Sequence, residues 1–313
     1  MIARLTCFAS AIALALVAPA HAQEAPAQPP APAAATAAPA AEPKTPAIPA
    51  LWKVADEDTT IYLFGTIHIL PAGMDWNSGA VKTALGTTDE LVTEIDMSPA
   101  AMAKMGQLIS TMAMLPEGTT LRSLMDADQK AAYEAGLAKI GVPAGALDPF
   151  KPWFAALQVA NAAFMKSGMS PQDGVELNLE KALPADTKHN ALETAEYQLG
   201  IFDSLPQDVQ VEYLLETVDE FETFGPMLQQ MTDTWAAGNV DELADLLNDT
   251  LEEDPVLAQR LLYDRNANWA DWIEQRLDQP GTVFIAVGAG HLAGDKSVQA
   301  DLAAEGIETA RVQ

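Results

Sequence analysis

The sequence predicts an α/β protein with a central mixed, largely parallel sheet, and two similar motifs lead to this prediction. The apolar run at 61–64 (Ile-Tyr-Leu-Phe) leads into Gly65, and His68 follows three residues after that glycine. Near the other end, the apolar run at 283–287 leads into Gly288, and His291 follows after the same interval. Each pattern is typical of a buried strand that ends in a glycine turn. Between the motifs the pattern is mostly helical, which predicts a large helical insertion.

The first 22 residues have the pattern of a signal peptide. Arg4 precedes a short apolar stretch from Ala11 to Ala18, and a small-x-small site at 20–22 follows it. We expect cleavage after Ala22 and export, to the periplasm or outside the cell. The apolar stretch is short for a bilayer span, and no later stretch has the pattern of one, so we expect no transmembrane segment in the mature chain.

Composition separates a linker from a folded domain and restricts the partners. Residues 23–50 are nearly all Ala, Pro, Glu and Gln, which predicts a disordered linker, and residues 51–313 would form one α/β domain. The chain has 17 Lys and Arg against 44 Asp and Glu, a formal net charge of −27. Because binding to a phosphate backbone needs clustered cations, we expect no nucleic-acid partner.

The first predicted unit of the sheet is βαβ. We expect a strand at 60–65, a loop that carries His68, a helix at 78–86 and a second strand at 90–96. Such a crossover makes its two strands parallel, and we expect them to be neighbours. Glu94 then lies at the same carboxyl edge as His68, where ligands of open α/β sheets collect.

Helices are predicted through most of the middle of the chain, at 99–113, in the segment 121–180, from 195 to 238, and at 240–248 and 255–278, with one further strand at 188–193. A second βαβ unit follows, with a strand at 282–287, a helix at 296–304 that ends at Gly306, and a closing strand at 307–312. One sheet requires the first and last segments to meet. His68 and His291 would therefore share a site across 291 − 68 = 223 positions.

His68, His291 and Glu94 together form a candidate metal site. Two imidazoles and a carboxylate suit Zn²⁺, Mn²⁺ or Co²⁺, and an open coordination position would activate a water molecule. Glu94 would be either a ligand or the general base, with Asp96 as the fallback carboxylate. The simpler alternative is that each histidine only makes hydrogen bonds in its loop and that Glu94 is a solvated carboxylate at the end of a strand.

Arg265 and Asn266 are candidate catalytic residues on a predicted helix from Leu261 to Leu277. Helical spacing places Arg265 on one face with Leu261, Trp269 and Trp272, and an arginine in an apolar stripe needs a partner. It would pair with Glu94 or another buried carboxylate, or it would hold a substrate carboxylate or a developing oxyanion, and both roles can coexist. Glu176 and Glu193 are second-tier candidates.

These residues resemble a known family. The segments 51–54, 63–68 and 287–292, together with Glu94, Arg265 and Asn266, are similar to the TraB/GumN family, which is related to the Tiki proteins, and the resemblance covers about 51–313. It implies an α/β fold similar to those of the haem-binding ChaN proteins and the erythromycin esterases. It also implies a metal-dependent hydrolase, because Tiki members are described as metalloproteases.

The function predicted from the sequence is hydrolysis by an exported enzyme that acts on a peptide or protein. Water would be activated on a divalent metal ion held by His68, His291 and Glu94. The rival hypothesis is a binding protein without turnover, which would hold haem or another ligand in the same cleft. A third hypothesis is a degenerate scaffold that acts only through a partner.

Overall fold

A computed structural model describes residues 45–248 and 255–313 of the chain; the predicted signal peptide and most of the predicted linker lie outside these residues. The fold is α/β, as predicted. The strands are, in chain order, β1 (Thr45–Pro46), β2 (Leu51–Ala55), β3 (Thr59–Thr66), β4 (Leu70–Pro71), β5 (Met74–Asp75), β6 (Glu90–Thr93), β7 (Met169–Ser170), β8 (Lys188–Ala191), β9 (Gly281–Gly288) and β10 (Ala310–Arg311).

Helices form most of the remaining described chain. In chain order they are α1 (Gly79–Leu85), α2 (Pro99–Met112), α3 (Ala127–Ile140), α4 (Pro152–Lys166), α5 (Val175–Leu179), α6 (Ala195–Asp203), α7 (Gln207–Asp219), α8 (Phe224–Ala236), α9 (Val240–Leu247), α10 (Pro255–Ala258), α11 (Asp264–Leu277) and α12 (Val298–Ala304). A π-helical turn at Gln259–Tyr263 joins α10 to α11. Among the described helices, none has both the length and the apolar character that a bilayer span requires.

The central sheet has six strands in the order β10-β2-β3-β9-β6-β8. The neighbours from β3 to β8 pair in parallel, whereas β2 is antiparallel to both of its neighbours. Apolar side chains alternate between the two faces, with Phe64 and Phe284 in the larger core cluster and Ile61 and Leu63 in the smaller one. Both faces of the central strands are covered, which explains why these strands are continuous apolar runs.

The sheet is mixed and largely parallel, as predicted, but its strand order corrects two expectations. The strands β3 and β6 are not neighbours, because β9 lies between them and pairs with both. The closing strand was expected at 307–312, in a second βαβ unit with β9. Instead, β10 is only two residues long and pairs antiparallel with β2, a strand that was not predicted from the sequence. An apolar strand that is buried on both faces fits best at the centre of the sheet, and this preference outweighs closeness in sequence.

Some boundaries also differ from the predictions. The predicted strand at 90–96 ends at Thr93, so Glu94 lies just beyond the strand. The predicted linker would end at residue 50, yet β1 pairs with β5, Ala47 is buried, and the Ile48 amide donates to the Ala236 carbonyl at 2.7 Å. Residues 45–50 are therefore part of the folded domain.

Candidate active site

The candidate site lies at the carboxyl edge of the sheet, where four consecutive parallel strands each lead to one polar residue. His68 follows β3, His291 follows β9, Glu94 follows β6, and Glu193 follows β8. The relative exposure of His68 is 7%, that of Glu94 is 8% and that of His291 is 0%, while the Glu193 side chain is 7% exposed. A protonated His68 would lower the pKa of both Glu94 and His291, so the three side chains lie near one another. The strand order thus brings together residues that are far apart in sequence.

The carboxylate of Glu94 is fixed from three directions. Its Oε1 accepts the backbone N–H of Gly288 at 2.7 Å, and its Oε2 accepts from Nη2 of Arg265 at 2.6 Å and from Nε2 of Gln198 at 2.9 Å. Burial, the largest single influence, would raise the pKa of this carboxyl, but Arg265, the two histidines and the Gly288 N–H together lower it to about 2. Glu94 is therefore an ionised group with a fixed orientation.

Arg265 is the hub of the cluster. Its Nε donates to Glu193 Oε1 at 2.8 Å, its Nη2 donates to Glu94, and its Nη1 donates to the Leu261 carbonyl at 3.0 Å. The guanidinium carbon also lies 4.8 Å from the centre of the Trp269 ring. Burial would lower the pKa of Arg265, but the two carboxylates raise it. The structure thus gives Arg265 the carboxylate partners that its place in an apolar stripe requires.

His291 is held by two polar contacts and one aromatic contact. Its Nε2 lies 3.1 Å from Nη1 of Arg265, and its Nδ1 lies 2.6 Å from Oδ1 of Asn266. Because a guanidinium only donates hydrogen bonds, Nε2 must accept and Nδ1 must carry the proton. Asn266 is itself held by the Lys296 carbonyl, to which its Nδ2 donates at 2.8 Å. The Trp269 ring lies against the imidazole, with centroids 4.3 Å apart.

The imidazole of His291 is neutral in this setting. Complete burial lowers its pKa, the Arg265 charge lowers it further, and the pKa falls to about 3. A neutral imidazole with this low basicity serves as a hydrogen-bond acceptor or a ligand, but it is a poor proton acceptor at physiological pH.

His68 belongs to a second, smaller cluster on the same edge. Its Nδ1 lies 2.6 Å from Oε1 of Glu176, which begins α5 together with Val175. The hydroxyl of Thr66 donates to the same carboxylate oxygen. Two residues of the first Gly-x-x-His motif therefore converge on a carboxylate from the helical insertion.

Gln198 is a residue of the cluster that was not predicted from the sequence. This residue lies on α6, is 4% exposed, and its Nε2 donates to Glu94 and also to Glu193 Oε2 at 2.8 Å. A polar residue next to Leu199 in a helix that packs on the core was the only signal available. Asp96, the fallback carboxylate, lies outside the cluster and accepts from the Ser98 amide at 2.8 Å.

A comparison with protein families identifies the chain. The profile of the TraB/PrgY/gumN family matches residues 50–311, which is most of the chain. The chain belongs to the TraB/PrgY/gumN family. Separate comparisons with curated proteins and with solved structures gave no match. For this TraB/PrgY/gumN protein, the resemblance found in the sequence is therefore confirmed at the level of the family.

The predicted metal ligands of this TraB/PrgY/gumN protein lie on one edge, but their arrangement does not fit a metal ion that all three hold. Both ring nitrogens of His291 are engaged, one by Arg265 and one by Asn266. A cation on Nε2 would need the position of a guanidinium that Glu94 and Glu193 hold in place. Within residues 45–248 and 255–313, no group of three or more His, Cys, Asp or Glu side chains is arranged to hold a metal ion.

Proposed function

We propose that this protein is an exported hydrolase that acts on peptide bonds at the edge formed by His68, Glu94 and His291. One observation carries the proposal: four consecutive parallel strands lead to two imidazoles and two carboxylates that are buried and held in fixed orientations. Buried charge at a strand-end edge is costly to maintain, and its concentration at one place favours a functional site over a purely structural one.

His68 is the better candidate for the general base. His291 is completely buried, neutral, and holds Arg265 on its Nε2, so it has little basicity to offer. His68 retains some exposure, and in its protonated form it would interact with the fixed carboxylate of Glu94. An ionised carboxylate near an imidazole stabilises the imidazolium that forms when the base accepts a proton.

Hydrolysis requires only water, the substrate and the side chains of this edge. His68 takes one proton from water while the water oxygen forms a bond to the carbonyl carbon of the substrate. When the tetrahedral intermediate collapses, the C–N bond breaks and the imidazolium returns the proton to the leaving amine. The products are a carboxylic acid and an amine, and His68 is restored. Glu94 would stabilise the imidazolium in both steps.

Metal-dependent hydrolysis is the second candidate, and the contact between His291 and Asn266 favours it. Metal-bound histidines usually donate their other ring N–H to an oxygen, as Nδ1 of His291 does here. The bound Zn²⁺, Mn²⁺ or Co²⁺ would activate water. Arg265 would first have to leave Nε2 of His291, so the present arrangement favours the metal-independent route.

Cleavage of a peptide library by purified protein tests the proposal, with and without a chelator. We expect cleavage that survives the chelator and that falls by roughly a hundredfold or more in His68→Ala, as for the loss of a general base. His189→Ala is the matched control, because His189 is an exposed histidine on β8. Chelator-sensitive cleavage would instead support the metal-dependent candidate. Absence of cleavage, together with a stoichiometric haem band, would favour the binding-protein hypothesis.

A further inference from the structure

The helical insertion contacts the first Gly-x-x-His motif through a short docked segment, residues 173–176. The backbone N–H of Val175 donates to the Ile67 carbonyl at 3.1 Å. Gly174 lies so close to the motif that a Cβ on this residue would be 1.9 Å from the His68 carbonyl oxygen. Because no real Cβ can approach an oxygen so closely, only glycine fits at position 174 without a shift of the His68 backbone.

The docked segment delivers one carboxylate to the motif. Glu176 Oε1 lies 2.6 Å from Nδ1 of His68, and it accepts the hydroxyl hydrogen of Thr66. The side chains of His68 and Glu176 are 6% and 9% exposed, so little water competes for the contact. A carboxylate this close to one ring nitrogen repels a lone pair there, so it favours the tautomer that carries the proton on that nitrogen.

We propose that Glu176 is a positioning residue for His68, and this inference rests on the proposed function. Glu176 holds the proton of the neutral imidazole on Nδ1, which makes Nε2 the nitrogen that accepts the proton of water. In serine proteases, likewise, a buried carboxylate at Nδ1 orients the catalytic histidine, whose Nε2 then acts as the base. Thr66 keeps the carboxylate in place, and Gly174 permits the close approach that the arrangement requires.

The proposal gives the helical insertion a role in the chemistry. Glu176 lies 176 − 68 = 108 positions from His68 in sequence, inside the insertion between the two predicted βαβ units. The strand ends supply His68, His291, Glu94 and Glu193, and the insertion supplies the group that orients the base. Proper docking of residues 173–176 is therefore a requirement for turnover, beyond its contribution to stability.

Nitrogen NMR of the histidine rings tests this proposal directly, because residues 23–313 contain only three histidines: His68, His189 and His291. Protein labelled with ¹⁵N at histidine would be measured at a pH where His68 is neutral. We expect the His68 proton on Nδ1 in the wild type. Detection of the proton mainly on Nε2 would overturn the proposal, whether or not a substrate has been found.

The variant Glu176→Gln keeps the shape of the side chain but removes its charge and adds an N–H donor. We expect it to lose the Nδ1–H preference and to lower kcat by roughly a hundredfold or more with little change in KM. Asp186→Asn, which removes a carboxylate charge from an exposed position of the insertion outside the docked segment, should leave both the tautomer and kcat unchanged. A Glu176→Gln protein with the wild-type tautomer and turnover would refute the assignment.

Two further variants test the same proposal if Glu176→Gln does not fold. Thr66→Val leaves Glu176 in place but removes its second partner, and we expect a smaller loss of the Nδ1–H preference. Gly174→Ala should displace the His68 loop. We therefore expect a clear loss of kcat at a temperature where the variant is still fully folded. If the tautomer changes as expected but no peptide or ester is cleaved even by the wild type, the proposed function fails while the positioning role of Glu176 stands.

Discussion

Nη1 of Arg265 lies 3.1 Å from Nε2 of His291, so the second histidine of the pair faces a guanidinium. The same guanidinium is bound by Glu94 at 2.6 Å and by Glu193 at 2.8 Å. Two carboxylates and one arginine leave the cluster with an excess of negative charge, which His68 would reduce when it is protonated. Arg265 therefore ties three strand ends together and makes His291 a hydrogen-bond acceptor.

Replacement of Arg265 by Lys should mainly lower stability. A single ammonium cannot reproduce the contacts that the fork of Arg265 makes with Glu94, Glu193 and His291. We expect the free energy of unfolding to fall on the order of 3 kcal/mol, since hydrogen bonds to buried charges are lost. Turnover per folded molecule should remain within about tenfold of the wild type. Urea denaturation and an active-site-normalised assay provide the two measurements.

Arg276→Lys is the matched control for that variant. Arg276 lies on the same helix and pairs with a single carboxylate, that of Glu90, at 3.0 Å. We expect a loss of about 1 kcal/mol there, as is usual for one ion pair near the surface. A wild-type stability of Arg265→Lys combined with a hundredfold loss of turnover would instead assign a catalytic role to Arg265.

Acidification should destabilise the protein from near neutral pH downwards. The pKa of His291 is lowered from 6.5 to about 3. Below pH 6.5, His291 therefore becomes protonated in the unfolded chain but stays neutral in the folded protein until the pH nears 3. The pKa of Glu94 is lowered from 4.5 to about 2, so its contribution is present above pH 4.5 and is lost as the pH falls towards 2. Both shifts make stability rise with pH.

Urea denaturation at about pH 7, 5.5 and 4 measures this dependence. Between about pH 7 and 4 we expect the free energy of unfolding to fall by a few kcal/mol, since one pKa unit corresponds to about 1.4 kcal/mol. His291→Gln should flatten the slope between about pH 6.5 and 4.5, whereas His189→Gln should keep it, because His189 is exposed. Equal slopes in all three proteins would show that His291 is not the group responsible.

Divalent metal ions should bind weakly to the wild-type protein. Because Arg265 faces Nε2 of His291, we expect added Zn²⁺, Mn²⁺ or Co²⁺ to leave the melting temperature unchanged, since a ligand stabilises only the state that binds it. Calorimetric melting with and without each metal, and elemental analysis after dialysis, provide the test. Stoichiometric metal that is lost in both His68→Ala and His291→Ala would establish the site predicted from the sequence and would require Arg265 to move.

Export should remove the first 22 residues. The small-x-small site at 20–22 follows a short apolar stretch, which is the pattern that signal peptidase recognises. Mass spectrometry of protein recovered from the periplasm or the medium should find an N-terminus at Gln23. An intact N-terminus at Met1, or protein found only inside the cell, would contradict the prediction.

Local patterns were enough to predict the fold class and to place His68 and His291 at one edge of the sheet. Apolar runs that end in Gly65 and Gly288 predicted the two central strands, and the resemblance to the TraB/GumN family rested on residues along the whole domain. The requirement that the first and last segments share one sheet placed His68 and His291 on one edge. These inferences succeed because strand character and glycine turns depend on residues that are close in sequence.

The sequence alone determined that this is an α/β protein of this family with polar and charged residues after its strands, whereas the tertiary structure decided what each of these residues contacts. Sequence spacing gave no sign that β9 lies between β3 and β6, that Glu176 reaches His68, or that Gln198 bridges Glu94 and Glu193. Nor did it show that Arg265 would face Nε2 of His291. The packing of whole helices and strands decides which groups a buried charge contacts. The desolvation cost of that charge is offset only by ion pairs and hydrogen bonds from side chains that are distant in sequence.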